Sequence, residues 1–520
     1  MTAAIQPPVS RTAHRPLVTA LVVVLILAGV KLLVHLLTAT RYGIFIDELY
    51  FLAAGEHLAW GYVDMPPLTT VQAWLARALF GQSLFGIRFI PALAGAALVL
   101  ITAAIVRELN GGRFAQLLAG LGVLSAGIFL MINSYLSMNS IEPLIWAGCA
   151  WVLIRLIKTE DGRWWLAFGA LAGLGLLNKH TMLLFGAAAV AGMLLSPARK
   201  LLWNKWLPAG GAIAFAIFLP NLVWMARHDF PMLELLANIR ANGRNVALTP
   251  PEFLSQQFTF LNPATLPLWL GGLWYFFFDR EGRRFRVLGW TFLLVLAELL
   301  LTDGRVYYLA PAYPMLFAGG AVLFERLFAR RALCWLKVAY PLLIVVLGVA
   351  FAPIFLPLLG PEDYVRYTRT IGIGQPRLET HQPVELPQFF ADRFGWPEMA
   401  QATADAYFAL PEAQRAQTAI YTENYGQAGA IDFFGPALGL PKAISGHLSY
   451  FYWGPRDYTS ESVLLLGVDM SEARQVFNRV QIVGRTGHRY AMRSENFPIL
   501  LATEPRMSMD ELWPQVKKWE

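Results

Sequence analysis

The run LVTALVVVLILAGVKLLVHLLTAT, Leu17 to Thr40, followed at once by RYGIFIDELY, Arg41 to Tyr50, decides the class of this chain. Twenty-four residues with a single Lys and a single His are long enough to cross a hydrocarbon layer, which takes roughly 17–25 apolar residues. The run is too long for the apolar part of a signal peptide and no small-residue cleavage motif follows, so it reads as a retained first span. Behind it come two adjacent carboxylates, Asp47 and Glu48. Acidic groups at the mouth of a membrane helix are costly to desolvate, and a pair held there points to chemistry at the bilayer surface.

The rest of the chain agrees with a polytopic α-helical membrane protein. Apolar residues make up 56% of the 520 and charged ones 15%, and the many aromatics suit membrane interfaces. Eleven stretches are apolar enough to be spans, near 17–40, 87–106, 114–132, 141–157, 164–178, 181–195, 206–226, 262–278, 287–302, 306–325 and 338–359. Alternate connections between them are rich in Arg and Lys. Arg107/Arg113, Arg155/Lys158/Arg163 and Arg280/Arg283/Arg284/Arg286 fall on one side, whereas the short connections on the other side, at Lys179 and Arg305, carry one each. The positive-inside rule then predicts a cytoplasmic N-terminus and an extracytoplasmic tail, in a bacterial cytoplasmic (inner) membrane.

The formal charge of +7 does not indicate a nucleic-acid partner. Residues 1–360 carry 27 basic and 16 acidic side chains, and residues 361–520 carry 15 and 19, so the excess belongs to short loops facing anionic lipid head groups. The two cysteines, Cys149 and Cys334, both precede the tail, which therefore folds without an internal disulfide.

Three segments outside the spans are organised. In 41–86, a surface helix is expected over Glu48 to Trp60, a turn at Gly61 to Pro67, and a second helix through Arg77. Residues 227–261 form a second large outer loop with Arg240 and Arg244. After Gly360, about 160 residues with ordinary charge density, a β-rich run at Ser462–Val468 and a helical one at Pro397–Ala409 read as a small soluble α/β domain. The expected division is 1–360 membrane domain and 361–520 extracytoplasmic domain.

A family resemblance rests on ordered motifs. Asp47-Glu48 after the first span, Gly61-Tyr62-Val63-Asp64-Met65-Pro66-Pro67-Leu68, and Gly304-Arg305-Val306-Tyr307-Tyr308-Leu309-Ala310-Pro311-Ala312-Tyr313-Pro314 resemble bacterial family 39 glycosyltransferases, the protein-mannosyltransferase-like members of the GT-C membrane fold. In the tail, Asn424-Tyr425-Gly426-Gln427-Ala428-Gly429 and Ser445-Gly446-His447 are similar to the same group. The resemblance implies transfer of a sugar from a polyprenyl-phosphate carrier to a hydroxyl of a cell-envelope lipid, glycan or protein, with Asp47 as base.

Such a transfer needs a base at the attacking hydroxyl, cations at the departing phosphate and restricted water. Asp47 and Glu48 are the catalytic candidates, beside plain first-turn acids that stabilise a helix start. Lys179, Arg305 and Arg244 are candidates for the donor phosphate, against snorkelling or solvated loop charges. Asp64, Glu142, Tyr307 and Tyr308 are candidates for substrate contact, Asp64 and Glu142 being equally suited to helix starts. Lys31, His35 and Glu298 lie within spans and are assigned no chemistry. No cofactor is expected; the adjacent carboxylates would suit a divalent cation, but no ligand cluster accompanies them. The missing phosphate-gripping Gly-rich loop argues against a nucleotide-sugar donor. The alternatives are a transporter or flippase of lipid-linked glycans, whose key charges would lie deep in the bilayer between repeated halves, and a polysaccharide polymerase or ligase.

Overall fold

The computed structural model of the chain describes residues 14–243, 246, 248–372 and 384–520. Helices α1 (His14–Thr38), α2 (Ile46–Glu56), α3 (Leu68–Phe80), α4 (Leu84–Glu108), α5 (Arg113–Ser125), α6 (Gly127–Ile132), α7 (Met138–Thr159), α8 (Trp164–Asn178), α9 (Met182–Leu194) and α10 (Trp206–Arg227) come first. They are followed by α11 (Pro231–Ala241), α12 (Pro250–Phe260), α13 (Leu266–Phe278), α14 (Arg286–Leu301), α15 (Tyr313–Leu327), α16 (Leu336–Phe355) and α17 (Pro361–Ile371). Each of the eleven apolar stretches falls on one or two of these helices. Among the described residues six helical segments are long and apolar enough to cross a membrane, starting at Leu21, Leu84, Met138, Trp206, Val306 and Arg331.

The outer surface of this bundle is apolar. Leu21, Ile26, Leu33 and Leu37 on α1, and Val338, Leu342, Val346 and Val349 on α16, are all more than half exposed. In water such a belt would drive aggregation, while against lipid tails it costs nothing. The chain is a multi-pass membrane protein.

Expected as one span, 114–132 is two helices. The backbone turns extended at Ala126 and the N–H of Gly127 finds Leu261 O at 3.1 Å instead of an intrahelical carbonyl. Backbone groups released inside a membrane must be satisfied by protein. Lys31 does this, donating from Nζ to Phe129 O at 2.8 Å, and the His35 ring meets Leu130 O at 3.1 Å and Lys31 O at 2.7 Å. Lys31 and His35 of α1 thus cap the last carbonyls of the short helix α6.

In the tail, α18 (Gln388–Ala391), α19 (Trp396–Phe408) and α20 (Glu412–Arg415) precede β1 (Thr418–Thr422), α21 (Tyr425–Phe434), α22 (Ser449–Trp453) and β2 (Ser462–Leu466). Then come α23 (Met470–Val476), β3 (Phe477–Arg485), β4 (Pro498–Pro505) and α24 (Met509–Leu512). The sheet has the order β1-β2-β4-β3, with β1 and β2 parallel and the other pairs antiparallel. Alternation along the strands sends Ala419, Val463 and Leu465 to one apolar face, under α23 and α24. Ile420, Leu464 and Leu466 go to the other face, where the core continues through α19 and α21 to Leu49 and Ala53 of α2. The tail has a core of its own on one side of its sheet and shares the other with the segment that carries α2.

Candidate active site

The connection from α1 to α2 is held tightly at its turn. Arg41 Nη1 donates to Leu358 O and the Tyr42 hydroxyl to Leu359 O, both at 2.8 Å, beyond the end of α16. Gly43 then takes φ +132°, and a Cβ there would lie 2.3 Å from Arg393 O of the tail, so the position admits only glycine. Next to it Ile46 N–H donates to Asp392 O at 3.0 Å. The first turn of α2 is therefore wedged between the bundle and the tail, and it carries Asp47 and Glu48.

The two carboxylates part company there. Glu48 is fully buried and turned into the protein, where Arg88 of α4 donates from Nε at 3.0 Å and from Nη2 at 2.6 Å to its two oxygens. The N–H groups of Phe45 and Leu136 add bonds of 2.9 Å each. Burial pushes the Glu48 carboxyl up, but the charge and hydrogen bonds of Arg88 outweigh it and hold the group below the usual carboxylate range. Glu48 is absent from the cavity wall described next. Its bonds suit it to holding α2, the supporting part that the sequence suggested for it beside Asp47.

Asp47 faces a cavity of about 490 Å³ between bundle and tail, a size adequate for a hexose and its phosphate. The bundle side of its wall includes Asp47, Tyr135, Asn139, Arg305 and Tyr307, and the tail side Asn424, Tyr425, His447, Glu495 and Lys518. The Tyr425 hydroxyl donates to Asp47 Oδ1 at 2.8 Å.

On the bundle side, Arg305 Nη1 donates to the Tyr307 hydroxyl at 3.2 Å, and Tyr307 meets Tyr308 edge-on with ring centroids 4.8 Å apart. Lys179 Nζ lies 3.7 Å from the Tyr308 ring centroid, a cation–π contact, and donates to Asn139 Oδ1 at 2.7 Å and Glu142 Oε2 at 3.2 Å. The Thr181 hydroxyl donates to the other Glu142 oxygen. Five candidates from distant parts of the sequence, Glu142, Lys179, Arg305, Tyr307 and Tyr308, thus form one contiguous patch. Arg305 and Tyr307 reach the wall, whereas Lys179, Glu142 and Tyr308 stand behind Tyr307 and Asn139.

Asp64 is not brought to the wall. It accepts from the Tyr50 hydroxyl at 2.8 Å, and Tyr50 packs 5.0 Å from the ring of Tyr425, so Asp64 is one aromatic ring removed from the cavity. Arg240 is exposed on α11, and Arg244 lies outside the described residues.

Sequence reasoning missed Arg88, Tyr425, Glu495 and Lys518. Glu495 is buried on the wall and accepts from Gln427 at 2.9 Å, Ser494 at 3.2 Å and Asn424 at 3.3 Å, and its burial pushes the carboxyl up. Lys518 pairs with Glu423 at 2.5 Å and Glu520 at 3.1 Å. Arg88, an arginine at the start of the second apolar stretch, offered a signal in the sequence; the tail residues offered none beyond their motifs. Among the described residues no group of three or more His, Cys, Asp or Glu is spaced to hold a metal ion.

Residues 64–224 match the family model described as dolichyl-phosphate-mannose-protein mannosyltransferase, a region that includes Glu142 and Lys179 and stops short of Asp47 and Arg305. The chain is 26% identical over 278 residues to the lipid A galacturonosyltransferase RgtD of Rhizobium johnstonii, covering 51% of this chain and 56% of that one. It is 25% identical over 236 residues to the polyprenol-phosphate-mannose--protein mannosyltransferase of Mycobacterium tuberculosis, covering 38% and 45%. The chain thus spans about half the length of the curated relatives it matches. Its fold is that of ArnT from Cupriavidus metallidurans: the structure bound to undecaprenyl phosphate superposes with a TM-score of 0.56 at 14% identity, over 95% of this chain and 98% of that one. The apo structure gives 0.59. The resemblance to GT-C glycosyltransferases of family 39 type, first read from short motifs, therefore holds for sequence and fold alike.

Proposed function

We propose that this protein transfers a sugar from a polyprenyl-phosphate carrier to a hydroxyl of a cell-envelope lipid, glycan or protein, at the outer face of a bacterial cytoplasmic membrane it crosses about eleven times. The observation that carries the reading is the single cavity that sets Asp47 on one wall with Arg305 and Tyr307. Relatives named as glycosyltransferases support it. The acceptor oxygen attacks the anomeric carbon, its proton passes to Asp47, and the bond from that carbon to the phosphate oxygen breaks with its electron pair leaving on polyprenyl phosphate. Arg305 faces the charge that grows on that oxygen, with Lys179 behind it across the tyrosine pair. Tyr307 and Tyr308 offer aromatic faces to sugar or prenyl carbons. Asp64 and Glu142 act one step behind the substrate, on Tyr50 and Lys179. We take the reaction to need neither metal nor cofactor. The transporter reading requires functional charges deep in the bundle, and Lys31 and His35 are already engaged by the carbonyls of α6.

Replacement of Arg305 by Gln is expected to weaken donor use by about 10–100-fold, since a hydrogen bond to a charged group contributes on the order of 1.5–3 kcal/mol. Lys179→Gln, one layer further back, is expected to lose less. Donor KM and direct binding of polyprenyl phosphate check both; parental values in both variants would move the phosphate site to the 227–261 loop.

The orientation is tested by labelling. Cysteines introduced singly at 64 and 461 in a variant lacking Cys149 and Cys334 are expected to react with an impermeant maleimide added to the outer face, and one at 283 to be protected. The reverse pattern would put the cavity in the cytoplasm and exclude this donor geometry.

A further inference from the structure

We infer that the tail is a working part of the active site, and that Tyr425 is a positioning residue which holds the Asp47 carboxylate in the orientation proton transfer requires. This rests on the reading of Asp47 as the base.

Three independent features of the tail converge on the first turn of α2. The phenol of Tyr425 donates to Asp47 Oδ1 at 2.8 Å. The carbonyl of Asp392 receives the N–H of Ile46, the residue before Asp47, at 3.0 Å. Helix α21, which begins with Tyr425, lies directly on α2 through two glycines one turn apart: a Cβ at Gly426 would fall 2.3 Å from Ile46 Cγ1, and one at Gly429 would fall 2.9 Å from the carbonyl carbon of Leu49. Residues three apart share a helix face, so Gly426 and Gly429 make a flat strip on which α2 rests. A side chain at either glycine would crowd α2 and push the helix start that carries the phenol away from Asp47.

The start of α21 is itself fixed. Asn424 Oδ1 receives the Gln427 N–H at 2.9 Å, and Gln427 Oε1 receives the Glu423 N–H at 3.1 Å, so the side chains on either side of Tyr425 close the helix start. Gln427 Nε2 and Asn424 Nδ2 go to buried Glu495. The Tyr425 N–H points to His447 Nδ1 at 3.3 Å, and its ring packs between Tyr50 at 5.0 Å and His447 at 5.1 Å. The phenol is thus delivered by a rigid element to a carboxylate at the tip of another. A general base works only within hydrogen-bond reach and in the correct orientation, and a misplacement of an ångström is worth about 100-fold in rate. This accounts physically for the Asn-Tyr-Gly-x-x-Gly run: cap, positioning hydroxyl, and two close-contact glycines.

The test is steady-state kinetics of full-length Tyr425→Phe beside Asp47→Asn, with a polyprenyl-phosphate sugar and the native acceptor. Phe keeps the ring between Tyr50 and His447 and removes only the hydroxyl. The expected result is kcat lowered about 10–100-fold with donor and acceptor KM near the parent's, the scale of losing one hydrogen bond to a charged group. A purely structural role would lower the amount of active protein and leave kcat per folded molecule unchanged; a ligand-binding role would raise KM. Either result overturns the inference. Gly429→Ala, which keeps the phenol but separates the two helices, is the second variant and is expected to lower kcat in the same way; parental kcat there also overturns it. If Asp47→Asn is fully active, the base assignment fails and this inference with it. If Asp47→Asn is inactive while Tyr425→Phe matches the parent, the positioning role alone fails.

Discussion

Asp47→Asn is expected to abolish sugar transfer while leaving the protein folded, inserted and able to bind donor. A neutral hydroxyl attacks an anomeric carbon slowly unless a carboxylate takes its proton in the transition state, and a positioned base contributes on the order of 10²–10⁴-fold. Asparagine has the shape of aspartate, and its carbonyl oxygen can still accept the Tyr425 hydroxyl that now lies 2.8 Å from Oδ1. The substitution therefore removes the proton acceptor and little else, and kcat is the quantity that should fall. Near-parental activity would dismiss Asp47 as base and direct attention across the cavity to Glu495, a buried carboxylate on its wall. Loss of donor binding together with activity would instead give Asp47 a binding role.

Breaking the Glu48–Arg88 pair is expected to damage the fold as well as the reaction. Both partners are 1% exposed or less. Arg88 bonds not only Glu48 but also Ala39 O at 2.5 Å and Gly43 O at 2.6 Å, joining α4 to the end of α1 and the turn before α2. Removing one member of a buried ion pair leaves the other charged and unpaired, a loss of about 3–5 kcal/mol. Arg88→Met should therefore lower the thermal unfolding midpoint in detergent sharply and inactivate what remains folded. The double variant Glu48→Gln with Arg88→Met should be less destabilised than Arg88→Met alone, because no lone charge is buried. Glu48 also sets a pH dependence. Its carboxyl is held below the ordinary range in the folded state, so its stabilisation is complete above the unfolded value and is lost as pH falls through the folded one. The unfolding midpoint of the parent should drop in that acidic window, and that of Glu48→Gln should drop less. A midpoint in Arg88→Met equal to the parent's would show that the pair does not hold the site.

The membrane architecture was legible because a span is a local property: length and apolarity of a continuous stretch suffice, and each of the eleven stretches falls on helix. The break between α5 and α6 was not, since 114–132 has no proline, and the Gly127 N–H freed at the turn is held by Leu261 O, more than a hundred residues away. The carboxylate pair shows the same boundary inside one motif. Adjacent helical residues point about 100° apart. The sequence could name Asp47 and Glu48 as a pair, but which of them meets the cavity and which meets Arg88 depends on how α2 is rotated, which the Glu48–Arg88 bonds and the contacts with the tail fix together. Lys179 and Arg305 were found because a lone charge in a short connection between spans stands out, and Tyr307 and Tyr308 because they follow Arg305 in a motif that resembles the family's. Their union into one patch depends on how α7, α8 and the Val306–Ala312 turn pack. Tyr425 and Glu495 carry no local sign of their role, because the partner that gives each its meaning lies far away along the chain.

The central claim is chemical: a sugar–phosphate bond is broken in the Asp47 cavity. Its most direct measurement is to incubate the purified parent protein in lipid with polyprenyl-phosphate-linked sugars and envelope acceptors, and to follow both the lipid and the acceptor by mass spectrometry. Equal amounts of free polyprenyl phosphate and singly glycosylated acceptor are expected, formed by the parent and not by Asp47→Asn. Intact lipid-linked sugar that crosses the bilayer without release of polyprenyl phosphate would contradict the claim.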